Sequence, residues 1–148
     1  MLADIDTTPL VNAIAIVETD NRPVGGDYVD GVPTAISPWQ IHRPFWQDVH
    51  AKFPNVDIGA RWEDIGWPDQ TSVLRARNCA TCGVLMITEY LEDHGQPPTP
   101  ENIYACYTIG RAGFHGCNFD LKSPDFPEWK RHKCHRVANL VKQLTPAD

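Results

Sequence analysis

Apolar residues at Leu10, Ala13, Ile14 and Val17 recur at helical spacing and predict a first helix. Thr7 or Thr8 supplies its N-cap and Pro9 its first turn. Glu18 follows four residues after Ile14, so it sits on or beside the apolar face. The pattern then breaks at Asp20-Asn21-Arg22-Pro23 and Gly25-Gly26. From 27 to 41 there is no helical period. Tyr28, Val29, Val32, Thr34, Ile36 and Trp39 alternate with Gly31, Pro33 and Pro38, which predicts a small irregular β-hairpin or extended lobe. Residues 44 to 53 read as a short helix with Phe45, Trp46 and Val49 on its apolar side. A Pro/Gly/Asp-rich connection over 54–69 carries Trp62 and Trp67.

The longest helix is expected from Asp69 to His94, with Val73, Ala76, Ala80, Gly83, Ile87, Tyr90 and Leu91 as its stripe and Gly95 as its stop. The next takes Thr99 as N-cap and Pro100 as N1, and breaks at Gly110. A Gly-rich turn and loop lead to a last helix over 127–144, with Trp129, Val137, Leu140, Val141 and Leu144 facing inward. The expected fold is mainly α, with a helical domain and a small β-hairpin lobe. Residues 1–148 are read as a single domain, a length that sustains its own core.

Composition narrows the functions. The chain is 42% hydrophobic and 22% charged, values of an ordinary globular domain rather than a disordered one. No apolar run approaches the roughly 20 residues of a membrane helix. With 13 basic and 19 acidic side chains the formal net charge is −6, which argues against nucleic acid as a partner. The basic run from Lys130 to Arg136 reads as a solvated helix face.

The five cysteines cannot all pair with one another. Cys79 and Cys82 form a CxxC, but at i and i+3 of a helix they also share one face. Three states stay open: buried thiols, one or two disulfides involving Cys117 and Cys134, or a zinc site completed by Cys117, Cys134, His132 or His135. No second CxxC supports zinc. Neither a metal nor another cofactor is therefore assigned.

Glu18 is the most informative residue. Burial favours the neutral form of a carboxyl, and a carboxyl that keeps its proton is what glycosidic cleavage asks of a general acid. A solvent-facing residue at a helix end is the competing reading.

Three blocks occur in a telling order: Ala13 to Asn21 around Glu18-Thr19, Ala35-Ile36-Ser37-Pro38-Trp39-Gln40-Ile41, and Ile103-Tyr104-Ala105-Cys106-Tyr107-Thr108-Ile109-Gly110. Together they resemble the lysozyme-like superfamily, in particular lytic transglycosylases and goose-type-like lysozymes of bacteria and phages. In that family a first helix ends in Glu-Ser, a Gly-Leu-Met-Gln-Ile-like strand closes a hairpin, and an Ala-Tyr-Asn-x-Gly turn stands across a cleft. Here Thr19 replaces Ser, Ser37-Pro38 replaces Gly-Leu, Thr108 replaces Asn, and Ile109 replaces a small residue.

The resemblance implies an α+β lysozyme-like fold with a cleft beside the hairpin lobe. It implies cleavage of the β-1,4 MurNAc-GlcNAc linkage, with Glu18 as general acid/base. It sets Thr19 beside the acid, Gln40 in the cleft wall and Tyr107 near the Glu18 carboxylate, with Thr108 following. Tyr28, Trp39, Trp46 and Tyr107 are candidates to stack on sugar rings, whereas Trp62, Trp67 and Trp129, and Trp46 by its helix position, are assigned to the core. Inversion would require a second carboxylate about 6.5–9.5 Å from the acid, for which Asp27 and Asp30 are the candidates. A lytic transglycosylase needs none.

The implied partner is the peptidoglycan glycan strand. Met1 to Thr8 lacks a basic start and an apolar stretch, so a signal peptide is not expected. A phage virion, or the host cytoplasm before delivery to the wall, is the expected location, with a virion or secretion machine as partner. A non-catalytic lysozyme-like module that binds glycan or a partner protein is the alternative, and a zinc-stabilised regulatory module the third.

Overall fold

The structure, a computed structural model, describes residues 6–146. Among these residues the fold is mainly helical with one three-stranded antiparallel sheet. In chain order the elements are α1 (Thr8–Thr19), β1 (Gly26–Val29), β2 (Val32–Ile36), β3 (Ile41–His42), α2 (Arg43–Lys52), a 3-10 helix (Trp62–Ile65), α3 (Gln70–Asp93), α4 (Pro100–Ile109), α5 (Arg111–Gly116) and α6 (Glu128–Leu144). The chain divides into two compact units, one of residues 1–13 and 84–148, the other of residues 14–83.

The unit of residues 14–83 holds the end of α1, the sheet, α2 and the start of α3. Its hairpin is set by local chemistry. Val29 pairs with Val32, and Asp30 (φ 52°) and Gly31 (φ 78°) form the two-residue turn between them. An Asp-Gly pair with both φ positive matches the right-handed twist of the flanking strands. The second turn, Ser37 to Gln40, delivers the third strand, where Ile36 pairs with Ile41. That strand extends the expected hairpin to a three-stranded sheet.

Two buried indoles fasten the 54–69 connection. Trp46 Nε1 donates to the Ile58 carbonyl at 2.9 Å, and Trp62 Nε1 donates to the Ile41 carbonyl at 2.9 Å. Each indole thus buries its ring and still satisfies its N–H. Trp67 departs from the expectation of burial: it is 61% exposed, flanked by Gly66 and Pro68.

The other unit contains the start of α1, the end of α3, and α4 to α6. The Thr99 hydroxyl accepts from the Asn102 N–H at 3.2 Å, and Pro100 opens the helix. That is the cap chemistry expected of the Thr-Pro pair. α5 lies where the sequence reads as turn and loop. Gly113 and Gly116 lower its intrinsic preference. Tertiary packing supplies the difference: Phe114 is fully buried, edge-on to Phe119 at 5.6 Å and to Phe126 at 6.0 Å.

On α6 the buried residues are Cys134 and Val137. Trp129, expected inward, is 61% exposed, with the Lys130 and Lys133 ammonium groups 5.3 and 5.4 Å from its ring. It stands five residues before Cys134, about 140° around the helix axis and off the buried face. Leu144, also expected inward, is exposed where the helix ends.

Candidate functional site

Two of the residues proposed for chemistry, Glu18 and Thr19, stand at the end of α1. Val17 is buried, Glu18 is half-buried and Thr19 is buried. The helix closes sharply behind them. Asp20 and Asn21 take left-handed φ values of 54° and 63°, while their N–H groups donate to the Ile16 and Ala15 carbonyls at 2.9 and 3.1 Å. A 6→1 bond over a left-handed residue is the Schellman termination, here using Asp and Asn in place of Gly.

Thr19 ties this end to the sheet. Its hydroxyl donates to the Pro38 carbonyl at 2.7 Å, with the Ala15 carbonyl at 3.1 Å, and accepts from the Arg22 N–H at 3.2 Å. The hydroxyl is thereby committed to backbone partners. Its task is to hold the helix terminus against the β2–β3 turn, one residue beyond the Glu18 backbone.

Gln40 does the same from the other side. It sits at φ 48°, and its Nε2 donates to the Val24 carbonyl at 2.8 Å and the Ser37 carbonyl at 3.1 Å. A Cβ at Gly26 would meet Gln40 Oε1 at 2.2 Å, so only glycine leaves room for that amide. Gln40 therefore braces the segment that follows α1.

Trp39 is corrected as a sugar platform. It is fully buried, with the Arg77 guanidinium 5.1 Å from its ring, and a pyranose has no access to that face. The Trp46 ring is buried too, with His50 stacked on it at 4.8 Å. Tyr28 by contrast is 63% exposed on β1. Asp30 is exposed in the β1–β2 turn, whose geometry accounts for an Asp there. The Asp27 side chain lies outside the described residues.

Tyr107 and Thr108 belong to α4 in the other unit. Both are half-buried. The Tyr107 ring stacks on Tyr104 at 6.1 Å, and the Thr108 carbonyl accepts from Lys130 Nζ at 3.0 Å.

All five cysteines are free and buried. Burial pushes the thiols of Cys106 and Cys134 up to about 12, and raises those of Cys79 and Cys82 as well. Such thiols stay protonated and unreactive at neutral pH. The open choice between thiols, disulfides and zinc thus falls to thiols. Among the described residues, no group of three or more His, Cys, Asp or Glu side chains is arranged to hold a metal ion.

Three features escaped the sequence reading: buried Ser37, Arg77, and the Pro38 carbonyl as the anchor of Thr19. Ser37 adopts φ 76° and its Oγ accepts from the Trp39 N–H at 3.2 Å. A Ser-Pro pair was the available signal, since both residues favour turns. The chain matches no protein-family model, no curated protein and no solved structure.

Proposed function

We propose that this protein is a peptidoglycan glycosidase of lysozyme-like fold that cleaves the β-1,4 MurNAc-GlcNAc linkage with Glu18 as general acid. The observation that carries the reading is the setting of Glu18. Glu18 is half-buried at the last turn of an apolar helix, and the next residue is pinned to the sheet by a 2.7 Å hydrogen bond to Pro38. A proton donor has to be held at a fixed point relative to the leaving oxygen, and this terminus is held from two directions.

In the reaction proposed, Glu18 donates its proton to the glycosidic oxygen as the C1–O bond breaks. The charge developing at C1 is then quenched in one of two ways. Water attacks, its proton taken by a second carboxylate for which Asp27 and Asp30 are the candidates. Otherwise the muramic 6-hydroxyl attacks and returns its proton to Glu18, closing a 1,6-anhydro ring. Tyr28 offers an exposed ring for sugar stacking.

A second reading, binding without cleavage, draws support from Trp39 and Thr19, two candidate contact residues whose groups are spent inside the fold. Turbidity clearing of purified cell walls separates the two. Glu18→Gln keeps the shape and removes the donor, and is expected to cut the rate at least about 100-fold while the fold is retained. Equal clearing by wild type and Glu18→Gln, or none by either, overturns the catalytic reading. Within it, loss of activity in Asp27→Asn or Asp30→Asn marks hydrolysis, and full activity of both variants marks the anhydro route.

A further inference from the structure

We propose a second carbohydrate site in the unit of residues 14–83, where a neutral pyranose ring lies on the exposed indole of Trp67 and exchanges hydrogen bonds with Arg43 and Glu63. The place is a groove of about 240 Å³ whose walls also include Val32, Ile36 and Trp62. Glu18 does not line it. The inference goes beyond the proposed cleavage and holds whether or not Glu18 is catalytic.

Two large apolar side chains of the groove face water, Trp67 at 61% and Val32 at 59% exposure. Against this apolar surface stands a half-exposed ion pair. The Trp62 ring is fixed by its bond to the Ile41 carbonyl, and the Arg43 guanidinium lies 4.7 Å from that ring. Arg43 Nη2 donates to Glu63 Oε1 at 2.8 Å. The guanidinium thus meets an aromatic face on one side and a carboxylate on another. One of its five N–H donors is used by that bond, and the carboxylate has further lone pairs. Glu63 stays ionised because a backbone N–H and then Arg43 hold it below the usual carboxylate range.

The chemistry of the occupant follows from this arrangement. The paired charges cancel, so the site prefers neither an anion nor a cation. Donors beside acceptors suit neighbouring hydroxyls, each of which both donates and accepts. The apolar indole suits the C–H face of a sugar ring. The volume lies below the about 300–1,000 Å³ of a drug-sized pocket, which gives room for one ring rather than an extended apolar chain.

The test is an NMR titration with N,N′,N″-triacetylchitotriose, following the Trp67 Nε1–H and Arg43 Nε–H resonances. Glu18→Gln protein is used alongside wild type, so that the ligand is not consumed and a failure of the catalytic reading leaves this result unaffected. Saturable shifts of both resonances are expected in both proteins. Trp67→Ala should bind at least about tenfold more weakly, its unchanged remaining spectrum showing an intact fold. Trp129→Ala, which removes the equally exposed indole of the other unit, should bind as wild type. Absence of saturable shifts at Trp67 and Arg43, or undiminished binding by Trp67→Ala, overturns the proposal.

Discussion

Thr19 shows how much of a site can rest on one hydroxyl. The group is buried and satisfies the Pro38 carbonyl and the Arg22 N–H. Thr19→Val keeps the branched shape and strands both partners. The expected loss is about 1–3 kcal/mol, the usual cost of an unsatisfied buried polar group, read as a lower urea midpoint. Thr19→Ser should recover most of it. An unchanged midpoint in Thr19→Val would mean that the hydroxyl does not hold the α1 terminus. Glu18→Gln should leave the midpoint near wild type, which separates the proposed acid from the residue that positions it.

The cysteines give a second prediction at this scale. All five are buried, and burial disfavours the reactive thiolate of Cys79, Cys82, Cys106 and Cys134. A disulfide-exchange reagent should find almost no fast thiol in the native protein and all five after denaturation. A rapidly reacting native thiol, or fewer than five on unfolding, contradicts that state.

At the scale of elements, the connection over residues 57–69 is a loop stapled by carboxylates. Asp64 Oδ2 accepts from the Ala60 and Arg61 N–H groups, both at 2.9 Å, and Asp69 Oδ1 accepts from the Ser72 N–H at 2.9 Å at the start of α3. Those backbone bonds, chiefly to Arg61 and to Ser72, hold Asp64 and Asp69 below their ordinary range. Glu63 is held low as well, by a backbone bond first and Arg43 next. For a carboxylate lowered by folding, the stabilisation is complete above the unfolded range and is lost as acid protonates the native form. The connection should therefore loosen below about pH 4 and be indifferent to pH between 5 and 8. Near-UV circular dichroism, which reports Trp62 beside Asp64, checks this. A transition centred near pH 6 would point to histidine instead.

The same scale shows what the sequence could reveal. α4 was legible end to end because Thr99-Pro100 and Gly110 are chemical stop signs. α3 was legible because its apolar spacing runs on to Gly95. α5 was hidden, because two glycines mask a helix made by the burial of Phe114. On α6 the apolar pattern sets Val137 inward correctly and Trp129 and Leu144 wrongly, while Cys134, a small residue on the buried face, gives no such signal. At the candidate site the position of Glu18 was legible from helical spacing. The burial of Trp39 was not, because Ser37-Pro38-Trp39-Gln40 is a turn and no periodicity reports which way a turn folds.

For the whole molecule, the net charge of −6 leaves little attraction to polyanions, so the proposed glycan recognition would come from rings and hydrogen bonds. No helix among the described residues is long and apolar enough to cross a membrane. The account rests on proton donation by Glu18. It is tested most directly by mass spectrometry of the soluble products of a peptidoglycan digest, wild type beside Glu18→Gln. Wild type is predicted to release muropeptides ending in reducing or 1,6-anhydro MurNAc, and Glu18→Gln to release almost none. Identical product profiles from the two proteins, or an intact glycan backbone after wild-type treatment, would contradict it.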